Sequence, residues 1–497
     1  MSWTDAFLSI VFVLSAVYLL KLSRGIRLPD TLRLRILQDS RLLAVSLPPR
    51  PSFSRYKKPT SGSSRVSYAA TAFTRDRALR SYSRYESLAR NELSSKRRGL
   101  NDLRGRHARI ATEIGYNTKL DRFREAISMN SLVASKIIGH SMLQKDSVPS
   151  DVGILGAYGA NHWSDDGPTD LSRVVEALKH CVRDWSIDAD EERTRVFTPI
   201  LNVLRQVPVH QRSGTKVLVP GAGLCRLAWE IARMGFDVTA NEVSSYMTLP
   251  FQMLLDKTTT PTAECHTVCP HYSWFSHTRS NDNLFQSAVF PDILPRVDKD
   301  GALIEFQTSN NITKDSETSN ELYAPGGSFE LIESDFLSLS SPNRSKDTNN
   351  TLSQDLIQLN PLSVVPVQPS DRGYDFIVTL FFIDTATNIL AYLDQIHALL
   401  RSNRGLTLPV TGTWINLGPL LWPPGASLEP SLEEVLTLSE RVGLGVVGER
   451  HSARSSDEAI NPVELRRTLE CQYTANRAGM MKWMYQAEFW VAKRRDD

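Results

Sequence analysis

The sequence predicts an α/β fold, an open and mostly parallel sheet wrapped by helices and preceded by a helical region. Three observations predict it. A buried strand, a glycine turn, a helix and a second strand ending on an acid follow one another without a break from Lys216 to Glu242. Buried-strand runs recur at Ser328 to Ile332, Tyr374 to Phe382 and Thr413 to Gly418. The last two runs, around Gly443 to Gly448 and Tyr485 to Ala492, have no crossover helix between them, which makes them an antiparallel terminal hairpin rather than two more parallel strands.

The chain has 497 residues, enough for two or three domains, and its net charge of +2 implies no global polyanion partner. Its charge is uneven, because the first 110 residues are rich in arginine. That basic arm reads as a solvated or helical extension in preference to a nucleic-acid surface. Five cysteines without framework spacing indicate a reducing compartment.

In chain order, Ala6 to Leu20 is an uncharged apolar stretch followed by Lys21, Arg24 and Arg27. By the positive-inside rule, residues 1–22 read as a membrane anchor with the bulk of the chain facing the cytosol; the alternative is an extension that never inserts. Residues 23–72, with Pro48-Pro49, Pro51, Pro59 and a Ser/Gly cluster, read as a basic, disordered linker. Residues 73–212 read as helical, with a glycine-rich break at Gly153 to Gly167 and then an amphipathic helix from Leu171 to Trp185. On that helix Arg183 and Trp185 lie one turn from His180, so that one face leans over a ligand. Residues 213–497 form the α/β domain, with an insertion at about 255–330.

The glycine loop narrows the ligand. Val217 to Val219 form the strand, and Gly221 and Gly223 allow a turn and a close ligand approach that a Cβ would obstruct. Glu242, about twenty residues past the first glycine, stands where doubly wound folds place a carboxylate for a ribose. The bland alternative is a tight turn with no ligand. A dinucleotide fingerprint wants a third glycine where this chain has Arg226, and a P-loop wants a Gly-Lys-Ser/Thr ending that is missing here. What remains is the short Gly-x-Gly loop of S-adenosyl-L-methionine enzymes, although Cys225 stands where many of them have another glycine. The fold class is therefore a Rossmann-like, seven-stranded class I methyltransferase sheet with an N-terminal helical region.

At the carboxyl ends of later strands, Asp335 suits the exocyclic amine of an adenine and Phe336 its ring; the alternatives are a helix cap and a core aromatic. Asp384, after the apolar run Leu380-Phe-Phe-Ile383, either caps a helix beginning near Thr385 or faces the methyl acceptor. If that acceptor is an imidazole, a carboxylate holding the opposite N–H fixes the tautomer and stabilises the developing cation. The Cys265 to His271 cluster puts two thiols and two imidazoles within seven residues, but the spacing is too tight for a structural zinc site and no second ligand pair follows. No metal is predicted. His277 and His397 read as surface or helix-face residues.

Several motifs together resemble the carnosine N-methyltransferase family: Val219-Pro-Gly-Ala-Gly-Leu-Cys-Arg-Leu-Ala-Trp-Glu-Ile231, Asn241-Glu242, Phe290-Pro-Asp292, Phe381-Phe-Ile-Asp-Thr-Ala386, Trp414-Ile-Asn-Leu-Gly-Pro-Leu-Leu421 and Met480-Met-Lys482. The resemblance covers roughly Phe73 to Lys493. It implies methylation, from S-adenosyl-L-methionine, of the histidine imidazole in carnosine or a related small molecule, with Asp384 as the catalytic residue. It places the cofactor against His180, Arg183, Gly221, Gly223, Glu242, Asp335 and Phe336, and the substrate against Phe381, Asp384, Tyr473 and Tyr485. Two positions depart from the family pattern: His180 stands where relatives use glutamine, and Pro423 where they carry a substrate-contacting histidine. Two other readings stay open, a protein-histidine or other N-methyltransferase and a non-catalytic, membrane-tethered scaffold. A homodimer and a nuclear location are compatible with the sequence and not selected by it.

Overall fold

The computed structural model describes residues 73–145, 167–304, 327–340, 373–402, 412–448 and 465–495. The anchor read at 6–20, the linker of 23–72 and most of the glycine-rich break lie outside the described residues. Among the described residues no helix is long and apolar enough to cross a membrane.

The helical region comprises α1 (Arg75–Asn101), α2 (Gly105–Glu113), α3 (Tyr116–Lys145), α4 (Gly167–Trp185) and α5 (Asp190–Arg205). Helix α1 buries Ala78, Tyr82, Tyr85, Ala89 and Leu93, residues three or four apart and hence on one stripe. That stripe packs on α3 and α4. The Tyr82 hydroxyl donates to the Tyr246 carbonyl at 2.7 Å, which ties the layer to the α/β part.

The α/β part runs β1 (Lys216–Pro220), α6 (Arg226–Arg233), β2 (Asp237–Glu242), α7 (Ser245–Leu255), β3 (His266–Val268), β4 (Ala288–Phe290), β5 (Ser328–Glu333), β6 (Phe376–Leu380), α8 (Ile389–Leu399), β7 (Thr413–Gly418), α9 (Leu432–Arg441), β8 (Leu444–Val447), β9 (Arg466–Cys471) and β10 (Tyr485–Arg494). The main sheet has the order β5-β2-β1-β6-β7-β10-β8. Its first five strands are parallel, and β10 is antiparallel to both β7 and β8. This is the predicted seven-strand path of the class I methyltransferase sheet. An eighth strand joins it, since β9 pairs antiparallel with the first half of β10 while β8 takes the second half. Sequence reading passed over β9 because Arg466-Arg-Thr-Leu-Glu-Cys471 is half charged and only partly buried, as suits an exposed edge.

Strand residues alternate between two cores. Val217, Val219, Val378, Ile415, Phe489 and Val491 join the core shared with the helical region. Leu218, Ile377, Trp414 and Trp490 face α8 and α9 on the opposite side. Between β2 and β5 lies a separate antiparallel pair, β3 with β4. It is locked to α3 by Asn130, whose amide donates to the Cys269 carbonyl at 3.1 Å and accepts from the Cys269 N–H at 2.7 Å.

The chain leaves β1 toward β2 and β5 on one side and returns to β6 on the other, so the strand order reverses between β1 and β6. Ligands of open α/β sheets collect at such a switch point, beyond the carboxyl ends of the strands.

Candidate active site

The register of β1 on β2 sets Pro220 opposite Asn241, which brings Glu242 level with the turn after β1. In that turn Gly221 and Gly223 have φ of 64° and 56°, in the left-handed region. A Cβ on Gly221 would also run into the Phe382 ring, so conformation and space both require glycine there. Glu242 holds the turn from inside: one carboxylate oxygen accepts from the Gly223 N–H and the other from the Ser244 N–H, each at 2.8 Å. Burial pushes Glu242 up, against the lowering effect of these N–H groups. Each oxygen keeps a second lone pair with which to accept a hydroxyl. Buried Cys225 has φ of 64° at the start of α6, which accounts for the glycine expected at that place.

Helix α4 lies over the turn with His180, Arg183 and Asp184, spaced i, i+3 and i+4, on one face. They line a small cavity of about 60 Å³ together with Gly221, Gly223 and Phe381. The Arg183 guanidinium sits 4.4 Å from the centre of the Tyr473 ring, bonds Asp184 at 2.9 Å and lies 3.5 Å from Glu192. His180 Nε2 is 3.3 Å from the Tyr473 hydroxyl, whereas its Nδ1 is buried without a hydrogen-bond partner. Trp185 does not share this face, contrary to the sequence reading: five residues on from His180, it points about 140° away. Its indole N–H donates to the Leu224 carbonyl at 2.9 Å, and its ring stacks on Phe251.

Two arginines fasten the end of α4 to the glycine turn. Arg226 donates to the Asp184 carbonyl at 2.9 Å and to Asp292 at 2.6 Å, and its guanidinium lies over the Trp185 ring at 4.9 Å. Arg193 donates to the Arg183 carbonyl at 3.0 Å and to the other Asp292 oxygen at 2.8 Å. The motif Phe290-Pro-Asp292 thereby has a physical task, for its carboxylate joins the two arginines. Asp184, Glu192 and Arg193 escaped the sequence reading, with the helical spacing of Asp184 from His180 as the only signal, and Asp292 entered it as part of a motif without a task.

The opposite wall is aromatic. Phe381 leaves β6 with φ of 52° and lies 4.9 Å from the Tyr473 ring and 5.8 Å from the Tyr485 ring, centre to centre. The strand is therefore shorter than Tyr374 to Phe382. Asp384 sits in the following turn, Ile383–Thr385, and is 7% exposed. It caps no helix, because α8 begins at Ile389 under the side chain of Asn388. Its Oδ2 accepts from the Leu421 N–H at 3.1 Å, and burial pushes its pKa up to about 6. Burial also raises Tyr485, and the neighbouring Asp384 charge adds to the rise. Pro423, two residues past Leu421, opens a turn closed by the Ala426 N–H at 3.0 Å.

The predicted residues thus fall into two groups. His180, Arg183, Gly221, Gly223, Phe381 and Tyr473 line one cavity, with Glu242 bonded to Gly223, and Tyr485 packed on Phe381. Asp335 and Phe336 are not among the residues lining that cavity. Asp335 accepts from the Leu337 N–H at 3.0 Å, capping its own turn, and buried Phe336 packs edge-on against Phe382, whose ring covers Gly221. In the Cys265 to His271 cluster, the His266 ring lies 2.9 Å from the Thr260 hydroxyl and 3.1 Å from the Lys136 ammonium. Among the described residues no group of three His, Cys, Asp or Glu side chains has metal-holding geometry.

A family model described as carnosine N-methyltransferase matches residues 161–496, which takes in the glycine turn, α4 and the aromatic wall. The chain belongs to the carnosine N-methyltransferase family. This member is 26% identical to the carnosine N-methyltransferase of Mus musculus over 338 residues, 65% of this chain and 64% of that protein. It thus spans just under two thirds of the mouse protein's length. The Schizosaccharomyces pombe carnosine N-methyltransferase is 24% identical over 429 residues, 82% of this chain and 92% of that one. Among solved structures, magnesium protoporphyrin IX methyltransferase from Synechocystis is 10% identical, covering 64% of this chain and 93% of that chain at a TM-score of 0.29. In this family member the Met480-Met-Lys482 motif lies in the loop joining β9 to β10, where Met480 is exposed and its N–H donates to the His277 carbonyl at 2.6 Å.

Proposed function

We propose that this chain is an S-adenosylmethionine-dependent N-methyltransferase whose acceptor is the imidazole of a histidine-containing dipeptide of the carnosine kind. The observation that carries the reading is the arrangement at the switch point: a glycine turn held by Glu242 on one side, and on the other the buried Asp384 beside Phe381, Tyr473 and Tyr485.

The residues present fit the cofactor. The buried His180 Nδ1 without a partner leaves a polar contact, and Gly223, where a Cβ would meet only the Asp184 carboxylate, leaves room beside the turn. Glu242 has lone pairs for two ribose hydroxyls, and His180 and Arg183 stand over the same cavity. Bound there, the cofactor supplies a methyl group on a positively charged sulfur.

The chain's own residues then align and shield an acceptor nitrogen. In-line transfer to nitrogen needs an unprotonated nucleophile, alignment and the exclusion of water, with no strong base. Above pH 6 Asp384 is ionised, and its carboxylate can accept the N–H of an imidazole; this leaves the other ring nitrogen unprotonated and stabilises the cation that methylation forms. The aromatic side chains of Phe381, Tyr473 and Tyr485 help to exclude water from the acceptor.

The test is an acceptor screen with the full chain, methyl-labelled S-adenosylmethionine, carnosine, other histidine dipeptides, free histidine and histidine-containing peptides. Label should pass to a dipeptide imidazole, and pass at least tenfold faster than to the longer peptides. Label transferred only to peptides, or to no imidazole although calorimetry shows the cofactor bound, would overturn the reading.

A further inference from the structure

We propose that Asp184 is a cofactor-binding residue whose carboxylate receives the α-ammonium group of the cofactor's amino-acid end. The inference rests on the S-adenosylmethionine reading above and extends it to a residue outside the set that the sequence and the family resemblance supplied.

Asp184 is a buried carboxylate at the wall of the cavity, and its two oxygens differ. Oδ1 is taken by the Arg183 guanidinium at 2.9 Å. Oδ2 lies against the open side of the glycine turn, 3.9 Å from where a Cβ of Gly223 would stand. The same oxygen is 3.9 Å from His180 Nδ1, too far for a hydrogen bond, and that nitrogen is buried without a partner. A single nitrogen placed about 2.9 Å from both atoms would close the gap, which is ordinary hydrogen-bond geometry. An ammonium has three donors, enough for Oδ2, for Nδ1 as an acceptor and for one carbonyl of the turn. His180 can take that tautomer, since its Nε2–H then donates to the Tyr473 hydroxyl at 3.3 Å.

Charge favours the same occupant. Arg183 is shared between Asp184 and Glu192, so one guanidinium faces two carboxylates. Although burial opposes its charge, the Arg183 and Arg193 guanidinium groups help to hold the Asp184 carboxyl below its ordinary value, and it is ionised at neutral pH. An ionised carboxylate at the wall of a buried cavity is strongly selective for a cation.

The experiment compares two ligands by calorimetry on the full chain. S-Adenosylhomocysteine carries the amino-acid end, and 5′-methylthioadenosine has the nucleoside and sulfur without it. Asp184→Asn should weaken S-adenosylhomocysteine at least about tenfold and leave 5′-methylthioadenosine within twofold. An equal loss for both ligands, which a merely structural role would give, overturns the proposal; so does no loss for either. A second comparison needs no variant: S-adenosylhomocysteine lacking its α-amino group should bind the wild type at least about tenfold more weakly than the parent, and equal affinity overturns the proposal. Wild-type protein that binds neither ligand would sink the cofactor reading itself, an outcome distinct from the loss of selectivity in the variant.

Discussion

Asp384 is a buried carboxylate that costs stability when ionised, as a group kept for the proposed chemistry would. Burial raises its pKa to about 6, so in the folded protein the carboxylate above that pH carries a charge that its surroundings oppose. In the unfolded chain the group titrates near 4. The destabilising effect is therefore absent below about pH 4, grows as pH rises from there to 6, and is then constant, at up to roughly 3 kcal/mol. Asp384→Asn keeps an acceptor for the Leu421 N–H and removes the charge. The variant should gain stability by up to about that amount at pH 8 and almost nothing at pH 4, as read from urea midpoints. It should also lose turnover at every pH, whereas the wild type loses it only as pH falls through 6. A variant less stable than wild type at pH 8 would mean that the carboxylate serves chiefly to hold Leu421. At this scale Gly221, Gly223 and Glu242 were legible because backbone conformation and strand register fix them locally. Asp184 was not, because a carboxylate beside an arginine on an amphipathic helix looks like an ordinary surface pair until the helix is seen to bury it.

Among the elements, the junction of α4 with the glycine turn depends on one carboxylate. Asp292 bridges Arg193 and Arg226, and each arginine in turn holds a main-chain carbonyl at the end of α4. Truncation to Asp292→Ala leaves two buried guanidinium groups short of a partner, an effect of about 3–5 kcal/mol for such pairs. The melting temperature should fall by several degrees and the affinity for S-adenosylhomocysteine should drop, while Asp292→Asn should fall between the variant and the wild type. Full affinity and an unchanged melting temperature in the alanine variant would show the bridge to be dispensable. The motif was visible in the sequence, but its task was not, because its partners lie 99 and 66 positions away. Strands buried on both faces were legible from their β-branched runs. The start of α8 was misplaced at Thr385 although Asn388 is a sound capping residue, since an apolar run hid the turn that separates them.

For the whole molecule, one hydrophobic cluster extends from Ala78 on α1 through α4 and β1 to Val491 on β10. A helical layer that shares its core with the sheet has no interior of its own to retain when the sheet melts. Heating should therefore give coincident transitions by far-UV circular dichroism, which the helices dominate, and by the infrared amide band of the sheet. An early loss of helix would separate the two layers. The long strand β10 adds a different consequence. Its first residue, Tyr485, and Tyr473, which follows β9, belong to a single hairpin, whereas the cofactor turn, Glu242 and α4 come from earlier parts of the chain. That hairpin therefore faces two ways. Tyr485 touches only the Phe381 side of the site, so on the proposed reading a change there alters the acceptor side alone. A change at Tyr473, which also meets His180 and Arg183 on α4, reaches the cofactor side as well.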